Sequence, residues 1–289
     1  MGSLDGKAAL ITGAGSGIGQ GTAERLAREG ANICIADIDT EGAEHTASMV
    51  REFGREAAII KTNVGSHEQV AAAVRLCVER FGRLDVAVAN AGIARGGSIL
   101  DMTLKDWDDQ VAVNLTGVFL TVQAAAREMV RLGNGGRIVC ISSLAAENTG
   151  PGMWSYSATK SGVRMMVRGW AQELGVHGIT VNAIGPGVID TPLAHGLAGD
   201  PGGPIRAALE ERTPVGRSGR PSDIAGLIAF MSGPDGEFMT GSYVLMDGGL
   251  RDARGPAGDP DSPAAQERLR HMAASVARNQ KLQPLIDER

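Results

Sequence analysis

The sequence has no run of about 18 apolar residues, so no membrane-spanning helix is predicted. Its first stretch, Met1-Gly2-Ser3-Leu4-Asp5-Gly6-Lys7, carries no apolar signal core. Lysine and arginine never cluster into a run, and the formal net charge is −5, so no basic surface is available to attract nucleic acid. Cysteine is scarce. Cys34, Cys77 and Cys140 lie far apart, each within an apolar run, and read as small core residues rather than a disulfide or metal set. The five histidines never fall at ligand spacing with the cysteines, so no metal site is predicted. Together these absences predict a soluble cytoplasmic protein whose partners are neither nucleic acid nor membrane.

Glycine and apolar residues are plentiful. With 43% hydrophobic residues the chain can bury a substantial core, and 41 glycines imply many tight turns. Short β-rich runs occupy 8–12, 33–37, 57–62, 86–90, 137–142, 180–184 and 242–246. Most are nearly continuous in apolar character, as expected of parallel strands covered on both faces. Between them apolar residues recur at helical spacing: Ala43, Ala47, Val50, Phe53; Val70, Val74, Cys77, Val78, Phe81; Leu115, Val118, Phe119, Val122, Ala126, Met129. Gly54, Gly82 and Gly133 follow three of these patterns as stop signals. Strand–helix–strand repeats with right-handed crossovers predict an α/β fold, a doubly wound parallel sheet of about seven strands with helices on both faces. In such a sheet ligands bind beyond the carboxyl ends of the strands. Those ends read Thr12-Gly13, Asp37, Thr62-Asn63, Asn90-Ala91-Gly92, Ser142-Ser143 and Gly185-Pro186-Gly187, all polar or glycine, and point to a shared cleft.

Three features carry chemistry. The first strand runs into Thr12-Gly13-Ala14-Gly15-Ser16-Gly17-Ile18-Gly19, a pattern of the form G-x-x-x-G-x-G. Glycines let the backbone turn and approach a pyrophosphate, and the following helix offers unpaired N–H groups. A turn that merely packs is the plainer alternative. Asp37, ending the second strand, can accept from ribose hydroxyls. A 2′-phosphate at about 4 Å would be repelled by a few kcal/mol, and neither Ser16 nor Ile38 supplies a cation, so NAD is predicted over NADP. A carboxylate that caps the next turn is the alternative there. Finally, Tyr156 and Lys160 stand four apart, one turn above each other on a helix. A cation within about 4–6 Å favours the phenolate, bringing the phenol closer to useful acid–base range.

With these motifs in hand, the sequence resembles the short-chain dehydrogenase/reductase family in its compact, Rossmann-type form. The resemblance rests on Thr12-Gly13-x-x-x-Gly17-x-Gly19, Asn90-Ala91-Gly92, Asn114 in Val113-Asn114-Leu115-x-Gly117, Ser143 and Tyr156-x-x-x-Lys160. Pro186-Gly187 with Thr191, and the closing Gly241 and Asp247-Gly248-Gly249, extend it across residues 5–250. It implies that Tyr156 is the general acid/base and that Lys160 lowers the Tyr156 pKa and binds the nicotinamide ribose. It implies that Ser143, favoured over Ser142 by its spacing, hydrogen-bonds the substrate oxygen, and that Asn114 kinks its helix and holds a water leading to Lys160. Gly13, Ser16, Gly17, Ile18 and Gly19 would cradle the dinucleotide, with Asp37, Asn63, Val64, Asn90, Ala91 and Gly92 along its adenosine half. Pro186, Gly187, Ile189 and Thr191 would meet the nicotinamide. Asn63 departs from the aspartate that relatives often carry, which loosens its assignment beside the adenine.

The resemblance further implies an NAD(H)-dependent oxidoreductase that interconverts a secondary alcohol and a ketone, without metal, as a homotetramer. Helices around 115–132 and 156–175 would pair across one axis, and the last helix and strand across another. An enoyl reductase is disfavoured, because that branch spaces tyrosine and lysine more widely. The alternative from another class is a non-catalytic nucleotide-binding sensor or scaffold. One catalytic domain is predicted over 1–250, with a Gly- and Pro-rich substrate lid at 192–217 that includes a short apolar helical pattern, Ile205 to Leu209. Met153, Trp154, Leu193, His195 and Leu197 are candidate pocket residues, with His195 either a polar handle or a solvent-facing loop residue. They suggest a largely apolar substrate. The extension 251–289 reads as a linker, then a helix opened by Ser262-Pro263 with Leu269, Met272 and Val276 on one stripe, either a frayed end or an arm against a neighbouring subunit.

Overall fold

A computed structural model describes residues 2–150 and 152–253. The helix predicted after Ser262 lies outside the described residues.

Seven parallel strands form one sheet: β1 (Ala8–Thr12), β2 (Asn32–Asp37), β3 (Ala57–Lys61), β4 (Val86–Ala89), β5 (Gly136–Ile141), β6 (Ile179–Pro186) and β7 (Tyr243–Met246). Their order is β3-β2-β1-β4-β5-β6-β7. The chain moves outward from β1 to β3 and then returns to β4, so the direction of winding reverses between β1 and β4. A crevice opens at such a reversal.

Alternate residues of each central strand feed two apolar layers. Leu10, Cys34, Ala87, Ile138 and Cys140 face α3 (His67–Phe81), α5 (Gly117–Leu132) and α6 (Trp154–Leu174). Ile11, Ile33, Ile35, Val88 and Val139 face α1 (Gly17–Arg28), α2 (Thr40–Glu52) and α9 (Pro221–Ser232). All three cysteines are buried and free in the first layer. Gly82 and Gly133 end α3 and α5 in the left-handed region, at φ 73° and 69°, where a residue without a Cβ terminates a helix at little cost. Phe119 is the exception to the apolar pattern of α5: it points outward and is 38% exposed.

Two further details add to the sequence expectation of a kink at Asn114 and a lid over 192–217. A π-helical turn, Ala112–Thr116, joins α4 (Leu104–Val111) to α5, so the three segments run as one helix with a widened turn at Asn114. The 192–217 segment holds two helices, one over the apolar pattern at 205–209 and a second that its glycines did not suggest. Thr191 caps α7 (Pro192–Ala198), its hydroxyl accepting from Ala194 N at 3.2 Å, and α8 (Pro204–Arg212) also begins on proline. Proline is tolerated in a first turn because the N–H it lacks has no partner there. Among the described residues no helix is long and apolar enough to cross a membrane.

At the amino ends of the strands the buried Asp85 is surrounded by donors. Arg83 reaches it at 2.6 Å, the Ala8 amide at 3.0 Å, Lys7 at 3.3 Å and Asn134 at 3.4 Å. Burial alone would raise its pKa, yet these donors and charges together hold it below the usual carboxylate range.

Candidate active site

The cleft lies at the carboxyl ends of the strands and encloses about 670 Å³. Its floor is fixed by Asn90, whose side-chain amide donates to the carbonyls of Thr12 and Gly13, both at 2.9 Å. The Thr12 hydroxyl in turn accepts from the amides of Asn90 and Ala91 at 3.1 and 3.3 Å. The β1 and β4 ends are thereby held together across the reversal.

Gly13 and Gly17 adopt φ of 66° and 55°, and Ser16, Gly17 and Ile18 bring the start of α1 into the cleft. A Cβ on Gly13 would stand 2.7 Å from Ala91 Cα, and one on Gly17 3.0 Å from the Thr191 methyl. The Ser16 side chain makes no capping bond. This cradle, at the positive end of a helix dipole, fits the pyrophosphate of a dinucleotide. Gly19 does not line the cleft. A Cβ there would collide with the Gly13 carbonyl and the Asn90 amide, so this glycine permits close packing behind the wall.

Asp37 closes one end of the cleft. Its carboxylate accepts from Gly15 N at 2.7 Å and from Asp39 N at 2.9 Å, which fixes its orientation beside Ile38. Asn63 and Val64 line the same half; Asn63 Oδ1 accepts from Gly65 N at 3.0 Å and shapes the turn after β3. Ala91 and Gly92 continue the wall toward the centre.

At the centre, Ser143 lies two residues beyond β5, and Tyr156 and Lys160 rise from α6. Tyr156 is 7% exposed and Lys160 3%. The neighbouring serine points away from the chemistry, its hydroxyl donating to the Lys160 carbonyl at 2.8 Å and tying α6 to the strand end. Lys160 Nζ donates to the Ile141 carbonyl at 2.9 Å and lies 5.6 Å from the Tyr156 ring centre. The Ser143 hydroxyl accepts from Ala145 N at 3.1 Å, leaving its hydrogen for the Tyr156 oxygen.

Electrostatically the centre corrects the sequence expectation. Burial pushes the Tyr156 phenol above its ordinary pKa, and the hydrogen bond with Ser143 works against that only in part. Burial likewise lowers the Lys160 pKa to about 8. Burial disfavours the charged form of each group, phenolate and ammonium alike, and at both it is the dominant influence.

Asn114 sits behind this centre, fully buried and outside the cleft wall. It exchanges hydrogen bonds with both backbone groups of Ile93, each at 2.8 Å, and reaches Thr159 at 3.4 Å. One helical turn earlier, the buried Gln110 accepts from Arg95 N at 2.7 Å and donates to Ser155 at 2.8 Å. The widened helix therefore braces the loop after β4 at two points.

Pro186, Gly187, Ile189 and Thr191 line the far wall, which Gly187 N and Ile189 anchor to Met246 and Gly219. Met153 and Leu193 line the remaining, largely apolar end. Trp154 does not; it donates to the Gly97 carbonyl at 3.2 Å and stacks on Trp107. His195 also stays outside, paired with Asp190 at 2.8 Å, and the Leu197 side chain lies outside the described residues. The sequence reading missed Leu144, Ala145, Val188 and Leu209 in this wall. The first three each sit within two residues of a motif position, and that adjacency was the available signal.

A family model described as "Enoyl-(Acyl carrier protein) reductase" matches residues 13–251. The 3-oxoacyl-[acyl-carrier-protein] reductase of Thermotoga maritima is 38% identical over 247 residues, covering 86% of this chain and 98% of its own. The cis-4-hydroxycyclohexanecarboxylate dehydrogenase of Sinomonas cyclohexanicum is 39% identical, covering 84% and 96% respectively. The crystal structure of levodione reductase superposes with a TM-score of 0.82 at 34% identity, covering 86% of this chain and 99% of that one. With this fold, this cleft and these likenesses, the chain belongs to the short-chain dehydrogenase/reductase family, oxidoreductases that use a nicotinamide dinucleotide on CH–OH or carbonyl groups.

Proposed function

We propose that this enzyme interconverts a secondary alcohol and a ketone with NAD(H) in preference to NADP(H). The observation that carries the proposal is the convergence of Ser143, Tyr156 and Lys160 on one strand end beside the glycine cradle. The nicotinamide, when bound, supplies or accepts the hydride. The chain's own residues manage the oxygen. Tyr156 gives its proton to the carbonyl oxygen or takes it from the alcohol, and its raised pKa keeps the phenol protonated in the resting site. Ser143 donates to the same oxygen as negative charge develops. Lys160, beneath Tyr156, binds the nicotinamide ribose and brings positive charge that favours proton release. Asn114 holds the helix and loop that back this centre.

The fixed carboxylate of Asp37 supports the cofactor preference. It accepts ribose hydroxyls and repels a 2′-phosphate, and no cationic side chain lines that half among the described residues. Asn63, Val64 and Asn90 flank the adenosine, and Pro186, Gly187, Ile189 and Thr191 the nicotinamide. Leu144, Ala145, Met153, Val188, Leu193 and Leu209 support an uncharged, largely apolar substrate. The spacing of four between Tyr156 and Lys160 supports carbonyl rather than enoyl reduction. α7 and α8 act as the lid. Exposed Phe119 and Met165 on α5 and α6, and Phe230 on α9, support a homotetramer; a monomer on size-exclusion chromatography would count against it.

Absorbance of the reduced nicotinamide provides the test, using a panel of cyclic ketones, keto acids and 3-oxoacyl thioesters with each cofactor. Turnover is expected with NADH and neutral ketones. Tight NADH binding without turnover on any substrate, in either direction, would sink the proposal.

A further inference from the structure

The chain contains only two tyrosines, and both reach Ser143. Tyr156 approaches its hydroxyl. Tyr243, the first residue of β7, donates its phenol hydrogen to the Ser143 carbonyl at 2.7 Å. To do so it must cross β6, which lies between β5 and β7. The crossing is made over Gly185, where any Cβ would collide with the phenol oxygen. Arg164 lies over the Tyr243 ring at 4.7 Å and pairs with Glu147 at 3.2 Å. Arg251 holds the same Glu147 from the other side at 2.8 Å. The phenol is thus clamped by an ion-pair network that begins four residues beyond Ser143. Burial, followed by Glu147, pushes its pKa up to about 12, so it remains a neutral donor wherever the enzyme works.

We infer that Tyr243 is a positioning residue for the reaction: by holding the Ser143 carbonyl it fixes the backbone that aims the Ser143 hydroxyl at the substrate oxygen. The chemistry explains why a second tyrosine is useful. Ser143 sits in extended backbone, φ −170° and ψ 156°, where β5 ends and a single short turn, Leu144–Ala146, begins. There the sheet no longer restrains the residue, and rotation of one peptide would swing the hydroxyl away from Tyr156. The strand ladder fixes Ser142 through its amide to Ile184 at 2.8 Å, and Tyr243 extends that restraint one residue further. The inference rests on the proposed roles of Ser143 and Tyr156.

A double-mutant cycle on Ser143→Ala and Tyr243→Phe tests it, with NADH and the fastest ketone of the panel. Phenylalanine keeps the ring under Arg164 and removes only the donor. Tyr243→Phe is expected to lower kcat roughly three- to tenfold, the worth of one neutral hydrogen bond, with KM for NADH unchanged. In the Ser143→Ala background the same substitution should cost less than twofold, because residues acting through one group are not additive. Amide hydrogen exchange gives a readout free of catalysis: the Ala145 amide, which donates to Ser143, should exchange faster in Tyr243→Phe. An equal loss in both backgrounds, or wild-type kcat and unchanged exchange, overturns the role of Tyr243. If Ser143→Ala itself turns over at the wild-type rate, the role of Ser143 falls, and that of Tyr243 with it. If no ketone is reduced by the wild type, the proposed reaction fails, while the exchange experiment still decides whether Tyr243 restrains Ser143.

Discussion

The two ends of the sheet treat buried charge in opposite ways. At the amino ends, Asp85 is met by Arg83, Lys7, Asn134 and a backbone amide, and its pKa falls despite burial. At the carboxyl ends, Lys160 donates to the Ile141 carbonyl and pairs with no carboxylate among the described residues, and its pKa falls to about 8 because burial disfavours its charge. One end spends its polar groups on holding strands together. The other sets a phenol and an amine in the wall of an open cleft. A buried charge is stable only when its partners replace the water it has lost.

Four substitutions break or sharpen this contrast, taken from the largest effect down. Tyr156→Phe should reduce turnover roughly 100- to 10,000-fold, the usual worth of a general acid, while the urea midpoint stays near the wild-type value. Residual activity at the wild-type level would place the proton carrier elsewhere.

Asp85→Ala should lower stability by about 2–4 kcal/mol in urea titration and leave kcat per folded molecule unchanged. The half-exposed Arg83 and Lys7 can rehydrate, which keeps the cost below that of a fully buried pair. Because the folded pKa of Asp85 is depressed, its contribution is complete above the unfolded value near pH 4 and is lost as pH falls through the lower folded value. The gap between wild type and variant should therefore close in acid.

Lys160→Met should do the reverse, abolishing most turnover while raising stability at pH 7 by about 1–3 kcal/mol. The folded state binds the Lys160 proton more weakly than the unfolded state, with a pKa of about 8 against 10.5. Wild-type stability should therefore rise between those values while the variant's stays flat. A variant less stable than wild type at pH 7 would show that the Ile141 carbonyl outweighs the buried charge.

Asp37→Ala carries the smallest expected effect on the enzyme as a whole, a shift in the NAD/NADP ratio of kcat/KM by roughly 10- to 100-fold, the low end of its repulsion of a 2′-phosphate once water screens a part-exposed carboxylate. An unchanged ratio would remove Asp37 as the discriminating residue.

Most of this cleft was legible because strand ends and short motifs are local signals. Asp37, Ser143 and the Gly13–Gly17 turn follow from where a strand stops and a turn begins, and periodicity locates that point to within about two residues. What escaped depends on distance through space. Gly19 reads as part of the phosphate motif, yet its neighbours are the Gly13 carbonyl and Asn90, brought close only by folding. Trp154 stands two residues before Tyr156, but helix geometry turns it about 200° away, onto Trp107. The Tyr156 pKa was misjudged for a related reason. Proximity of a lysine is visible in the spacing, whereas the burial that dominates is a property of the assembled pocket. The helix α8 was readable from the apolar spacing of Ile205 to Leu209, whereas α7 was hidden by the surrounding glycines, although Thr191-Pro192 is a helix-start pair.

The π-turn at Asn114 acts as a phase shifter. One extra residue in a helix rotates everything upstream by about 100°. With a regular turn in its place, Gln110 would face another direction, and the amide of Arg95 and the hydroxyl of Ser155 would lose their shared partner. Deleting one residue from 112–116 would thus preserve the helix and still misalign the loop that walls the cleft.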